Sequence, residues 1–389
     1  MYKGDSMMKL VVLDGHTENP GDLSWAPLET LGELTVYDRT DPDDDELIRQ
    51  RIGDAEIVIT NKTPLRAAVL QSCSNLRLVA VLATGYNVVD CAAAKAQGVP
   101  VCNVPGYGTM AVAQYAIALL LELCSRVGHH AATVRQGHWA PGGDWCYWDA
   151  PLTELAGKTA GIFGYGHIGR QTGRIAAALG MRVLACTPHP PLDAPPGVRF
   201  AEKGELLRRA DVLFLHCPLT PATQGLICRE SIAQMKPGVL IVNNARGGLI
   251  VAKDLAEALA DGRVGGAALD VLEKEPPDPD DPLLHASNCL VTPHISWAPI
   301  ECRRRILDVT AQNICAFLDG CAANSCQPVN KRNYKYENTT IVRHRLVLCP
   351  PGLRPRANTG PRHGRNAAHT WNAPRRDGRR KRLLPRPLL

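Results

Sequence analysis

With 389 residues, 45% apolar and 21% charged, the chain has room for two ordinary domains with sizeable cores, and its composition is that of a globular protein. The net charge of +6 is unevenly spread: residues 331–389 hold 16 Lys and Arg against Glu337 and Asp377, which leaves 28 basic against 36 acidic residues, a balance of −8, in residues 1–330. The basic balance therefore gives no ground for nucleic-acid binding by the folded body, and 14 scattered Cys without a C-x-x-C pair argue against a zinc site or a disulfide-stapled mini-domain and for reduced thiols in the cytoplasm.

Met7 or Met8 reads as an alternative start, with the preceding residues an extension. The first apolar run, Leu10–Leu13, is too short for a secretory signal. Lys9–Asp14, Leu34–Tyr37, Glu56–Thr60, Leu76–Leu82 and Val99–Asn103 read as strands, with helices predicted over Asp44–Arg51, Pro64–Gln71 and Val88–Ala96 between them. Strands spaced by helices give a parallel sheet. Thr109–Arg126 is a long Ala/Leu-rich helix; its apolar stretch Ala111–Cys124 is too short to span a bilayer and carries Gln114 and Glu122, so no membrane segment is expected. A polar stretch rich in Gly and Trp follows, Gln136–Pro151.

A second series begins at Lys158: strand Thr159–Phe163, helix Ile168–Leu179, strand Arg182–Ala185, then strands at Val212–His216, Val239–Asn243, Gly265–Ala268 and Cys289–Thr292. Repeated β-α-β units of this kind make a doubly wound sheet. Glu301–Leu318 is the last helix. Residues 331–389, rich in Arg, Pro and Asn, have too little apolar surface to offset ordering entropy and read as a disordered tail or an unnatural terminus.

Gly164-Tyr165-Gly166-His167-Ile168-Gly169 fits G-x-G-x-x-G, and it follows a strand and opens a helix, the context the pattern requires. Gly164 allows the tight turn, Gly166 lets a pyrophosphate approach, Gly169 lets helix and strand pack, and the helix N-terminus at His167 and Ile168 offers unpaired N–H groups to phosphates. Thr187, 18 residues after Gly169, stands where an acidic residue would normally hold the ribose hydroxyls of NAD. It neither repels nor grips a 2′-phosphate, so NAD is favoured and NADP stays open.

Three polar signatures follow, each just after an apparent strand: Asn243-Asn244-Ala245-Arg246, Asp270 through Glu275, and Thr292-Pro293-His294. Reduction of a 2-keto acid needs a hydride at C2 and a proton on the keto oxygen. His294 is the suitable acid. A carboxylate beside it, Glu275, would fix its tautomer and favour the imidazolium. Arg246 is suited to clamp a carboxylate, and Asp270 to hold the nicotinamide carboxamide.

In these residues and their order the sequence resembles the D-isomer-specific 2-hydroxyacid dehydrogenases over about residues 8–330. Within them it looks most like the glycerate dehydrogenase (hydroxypyruvate reductase) group, through Val81–Asp90, Cys102–Thr109, Asp144–Trp148 and His294–Ala298. The resemblance implies two doubly wound α/β domains. One is a flavodoxin-like substrate domain, 8–104 with 293–330; the other is an inserted Rossmann cofactor domain, 105–292. It implies substrate contacts at Thr84, Gly85 and Lys62 and a cofactor lining that includes Thr109, Cys217, Pro218, Thr223, Asn244 and Ala245. It also implies a homodimer joined through the 109–126 helix and the aromatic segment after it. Phosphoglycerate or D-lactate oxidation, or a non-enzymatic NAD-sensing corepressor, remain the alternatives.

Overall fold

The computed structural model describes residues 7–140, 143–191, 195–321 and 323–326; the 331–389 tail lies outside them. Two parallel sheets carry the fold. The first contains β1 (Lys9–Val12), β2 (Glu33–Val36), β3 (Ile57–Thr60), β4 (Leu78–Val81) and β5 (Val101–Cys102) in the order β2-β1-β3-β4-β5. The second contains β6 (Thr159–Phe163), β7 (Arg182–Cys186), β8 (Val198–Phe200), β9 (Val212–Leu215), β10 (Val239–Asn243), β11 (Val264–Leu269) and β12 (Cys289–Val291) in the order β12-β11-β10-β9-β6-β7-β8. β3, β4 and β9 are buried along their whole length. That is why they read as unbroken runs such as Ile57-Val58-Ile59: helices cover both faces of a parallel sheet.

The chain leaves the first sheet through the helix Thr109–Ser125, whose Ala116, Ile117, Leu119 and Leu120 pack with Ile162, Val183 and Phe214 of the second. It returns through the helix Ile300–Leu318, which sets Ile306, Leu307, Ile314 and Phe317 against Val12, Ile57 and Ile59. After that helix, Ser325 bridges antiparallel to Cys102. The first sheet is thus built from both ends of the described chain.

Sequence reading missed β8, the helices Val127–Arg135, Lys203–Arg209, Arg229–Gln234 and Ala252–Ala260, and the one-turn helices Gly15–Glu18, Ala26–Glu29 and Pro282–His285. β8 is a three-residue edge strand, half-buried at best, so it lacks the apolar run of its neighbours. These seven helices have four to nine residues, too short for a strong period. The glycine-loop helix begins at His167, one residue before the predicted start.

Each sheet reverses its winding once, at β1/β3 and at β6/β9. Ligand crevices form outside the carboxyl ends of the strands at such reversals. Asp14 and Lys62 follow β1 and β3; Gly164 and Cys217 follow β6 and β9.

Candidate active site

The glycine loop leaves β6 at Gly164, whose φ of +90° and contact with the next crossover exclude a side chain: a Cβ would lie 2.5 Å from the His216 carbonyl oxygen. At Gly169 a Cβ would lie 2.1 Å from the Gly164 oxygen, so the helix closes on the strand end. At Gly166 a Cβ would meet nothing within 4 Å, and both Gly166 and His167 face solvent at the N-terminus of a 12-residue helix. The resulting cradle has space above it and a positive dipole end beneath it. His216 points inward: Thr172 Oγ1 lies 2.9 Å from its Nε2, and burial lowers the imidazole to about 4, keeping it neutral.

Arg246 follows β10. Asn243, fully buried at the strand end, donates from Nδ2 to the Arg246 carbonyl at 2.9 Å and accepts from the Ala245 N–H at 3.1 Å. That bracket fixes the turn. The guanidinium donates to the Ala245 carbonyl at 2.7 Å and pairs with no carboxylate among the described residues. It lies against the turn after β4: a Cβ on Gly85 would come within 2.7 Å of Arg246 Nη2. In that turn the Thr84 hydroxyl donates to Val104 O at 2.9 Å and its carbonyl accepts from Asn103 Nδ2 at 2.7 Å. The N–H groups of Thr84 and Gly85 donate to no acceptor among the described residues.

His294 and Glu275 meet, with Nδ1 of the ring 2.6 Å from Oε2 of the carboxylate. Glu275 Oε1 accepts from the Leu272 N–H at 3.0 Å, so both oxygens are engaged. Burial pulls the Glu275 carboxyl upward, but the His294 hydrogen bond, the charge of that ring, the Leu272 N–H and the Lys62 charge outweigh it and hold it below the usual range. His294 has φ 55°, a left-handed conformation that costs a non-glycine residue on the order of 1–3 kcal/mol. Lys62 stands in the field of both Glu275 and Arg246; desolvation lowers its ammonium below the usual lysine range, with Arg246 adding to the effect and Glu275 opposing it. Residues from five strand ends, 62, 84–85, 246, 275 and 294, therefore converge.

Asp270, 1% exposed, is held from three sides within the chain. Its Oδ1 accepts from Thr292 Oγ1 at 2.6 Å and Ile295 N–H at 2.9 Å, and its Oδ2 from Ser296 N–H at 2.8 Å. These bonds hold the His294 turn in its strained shape. Thr223 also turns to its own loop, donating to Pro218 O at 2.6 Å. Asn244 donates to Val112 O at 2.9 Å and to Ser296 Oγ at 3.2 Å, but its Oδ1 is buried and unpartnered, an acceptor still open to a ligand. Thr109, which starts its helix, and Thr187, just past β7, are half-buried, as is Cys217; Pro218 is exposed. The sequence reading passed over Asn243 and Asp14. A buried Asx residue ending a strand is the signal for both.

Residues 117–296 match the family described as D-isomer specific 2-hydroxyacid dehydrogenase, NAD binding domain. The chain is 55% identical over 319 residues to a hydroxypyruvate reductase of Blautia hydrogenotrophica, covering 82% of this chain and 99% of the relative. It is 40% identical over 281 residues to a glycerate dehydrogenase of Methylorubrum extorquens, covering 72% and 88%. The apo-structure of D-lactate dehydrogenase from Escherichia coli superposes with a TM-score of 0.71 at 30% identity, covering 82% of this chain and 100% of that one. With almost the whole of a relative aligned at more than half identity, the chain belongs to the D-isomer specific 2-hydroxyacid dehydrogenase family.

Proposed function

We propose that the protein interconverts hydroxypyruvate and D-glycerate, with His294 as the acid/base, Glu275 as its partner and Arg246 as the substrate clamp. The carrying observation is the anion seat beside an oriented imidazole. Arg246 has no carboxylate partner among the described residues, the Thr84 and Gly85 N–H groups are unclaimed, and the nearby His294 ring is bonded to Glu275 at 2.6 Å. The names of the two relatives, hydroxypyruvate reductase and glycerate dehydrogenase, support this substrate.

With Nδ1 turned to Glu275, His294 has Nε2 left for substrate. In reduction, Nε2 gives its proton to the keto oxygen, and Glu275 stabilises the imidazolium before transfer. In oxidation, the neutral ring takes the hydroxyl proton back. Arg246 grips the substrate carboxylate with its planar fork while the 84–85 N–H groups take the same anion from the other side. Lys62 adds a second positive charge.

A nicotinamide dinucleotide fits the residues present: the Gly166 opening, the helix end at His167 and Ile168, the closely packed Gly164 and Gly169, and the unpartnered Asn244 oxygen. These would hold it with Thr109, Thr187, Cys217, Pro218 and Ala245 along the strand ends; when bound it supplies the hydride. NAD is our reading of its identity, since neutral Thr187 has no Arg or Lys beside it for a 2′-phosphate.

We read residues 8–104 with 293–330 as the substrate domain and 105–292 as the cofactor domain. We also read the protein as a homodimer in the cytoplasm. Exposed Val127, Val134, Trp139, Trp148 and Leu152, with Trp145 92% exposed, form apolar surface of the kind that marks an interface. No single helix among the described residues is long and apolar enough to cross a membrane.

The test is absorbance-monitored reduction of hydroxypyruvate, glyoxylate and pyruvate with NADH and then NADPH. The expected result is the highest kcat/KM for hydroxypyruvate with NADH. His294→Ala should lower kcat by about two to four orders of magnitude while NADH binding, followed by fluorescence, survives. Equal turnover of wild type and His294→Ala would overturn the assignment.

A further inference from the structure

Asp14 is 6% exposed and lies just past β1, at the reversal of the first sheet. Its Oδ1 accepts from the Asn61 N–H at 2.8 Å, and its Oδ2 from the N–H groups of Lys62 and, at 2.8 Å, Thr63. Three successive backbone donors thus converge on one carboxylate, as in an anion-binding nest, except that the anion is the protein's own. On the other side of the same turn, Thr60 Oγ1 donates to Thr63 O at 2.8 Å. The backbone at 61–63 is therefore pinned, and only the Lys62 side chain remains adjustable.

That pinning has an electrostatic consequence. Lys62 feels the charges of Glu275 and Arg246, yet it forms no ion pair with Glu275; the Glu275 oxygens go to His294 Nδ1 and the Leu272 N–H. An ammonium on a four-carbon stem is mobile, and an unpinned turn would let it move onto the carboxylate. There it would compete with His294 for Oε2 and cancel one of the two positive charges presented to the substrate.

We propose that Asp14 is a positioning residue: by clasping the 61–63 backbone it keeps the Lys62 ammonium at the substrate and out of an ion pair with Glu275. Asp270 treats the His294 turn in a parallel way, so each sheet uses a buried strand-end aspartate to hold a turn that carries a functional cation. The inference rests on the reading that Lys62 faces the substrate.

The test is a double-mutant cycle on the full chain with hydroxypyruvate and NADH. Lys62→Met is expected to raise KM about tenfold with kcat changed less than about threefold, Asp14→Asn to do the same, and the double variant to be no worse than Lys62→Met alone. The pH profile of kcat/KM gives a readout that a merely structural role would not move. Its acidic and basic limbs should shift in Asp14→Asn, where Lys62 competes for Glu275, and return to the wild-type positions once Lys62→Met is added. If Lys62→Met leaves KM unchanged, Lys62 does not serve the substrate, and that reading of the site falls together with the clasp. If Lys62→Met raises KM but Asp14→Asn adds to it in full, or the pH limbs stay shifted in the double variant, the clasp alone is refuted. Should Asp14→Asn fail to fold, Asp14→Ser, which keeps one acceptor, replaces it in the same cycle with the same two refuting outcomes.

Discussion

Glu18 is 0% exposed and neither of its carboxylate oxygens has a hydrogen-bond partner among the described residues. Desolvation pushes the carboxyl up from its ordinary 4.5 to about 8; Arg303 opposes this and Asp14 adds to it. An acid raised in this way keeps its proton in the folded state while the unfolded chain has already released it. The folded state then binds more protons between about 4.5 and 8, so stability falls as pH rises through that window and levels off above it. Glu18→Gln keeps the shape and removes the titration. Its melting temperature should gain on the wild type steadily from pH 5 to pH 8, by a gap on the order of a few kcal/mol, since each pKa unit is about 1.4 kcal/mol. Melting curves that run parallel across that range would show that the carboxyl titrates normally. Nothing in the local sequence, Gly15-His16-Thr17-Glu18, distinguishes this residue from a solvated acid, because Arg303 and Tyr107, which come near it, lie far along the chain.

At the level of elements, the strand-end turns carry the chemistry, and their legibility varies with how local their causes are. The glycine loop was readable because each glycine answers a steric demand from its immediate neighbours. Gly169→Ala tests this: a Cβ 2.1 Å from the Gly164 carbonyl oxygen meets backbone that cannot swing away. The expected cost is about 1–3 kcal/mol of overpacking, and the turn should open enough to weaken NADH binding more than tenfold in a fluorescence titration. Unchanged affinity would refute the packing role. Arg246, Glu275 and His294 were legible as types at the ends of apolar runs. Asp270 was legible as a conspicuous acid, but its partners were not: the left-handed turn at His294 that it holds arises only when β11 and β12 lie side by side. Asp14 was read only as the end of a strand for the same reason, since its three donors lie 47 to 49 residues away.

For the whole molecule, the return of the helix Ile300–Leu318 to the first sheet means that this sheet is complete only when the chain has run to that point. The residues assigned to the site all lie within 14–296, so deletion of residues 331–389 should leave the rate of hydroxypyruvate reduction within about twofold of the full chain, a surface-scale effect. A loss of activity would give the basic tail a part in the reaction. Two parallel sheets were legible from the alternation of apolar runs with helical stretches, while β8 and seven short helices were not, because short elements gain their stability from neighbours more than from their own pattern.

By itself the sequence determined the succession of strands and helices, the glycine turn, and which side chains have the chemistry for proton transfer and anion binding, because these depend on spacing within a few residues and on residue type. Tertiary structure alone decided which of those side chains meet, that Asp270 and Asp14 hold backbone turns, and that Glu18 is sealed from water. Such properties are set by distances between strand ends that lie far apart along the chain, and they exist only once the sheets have formed.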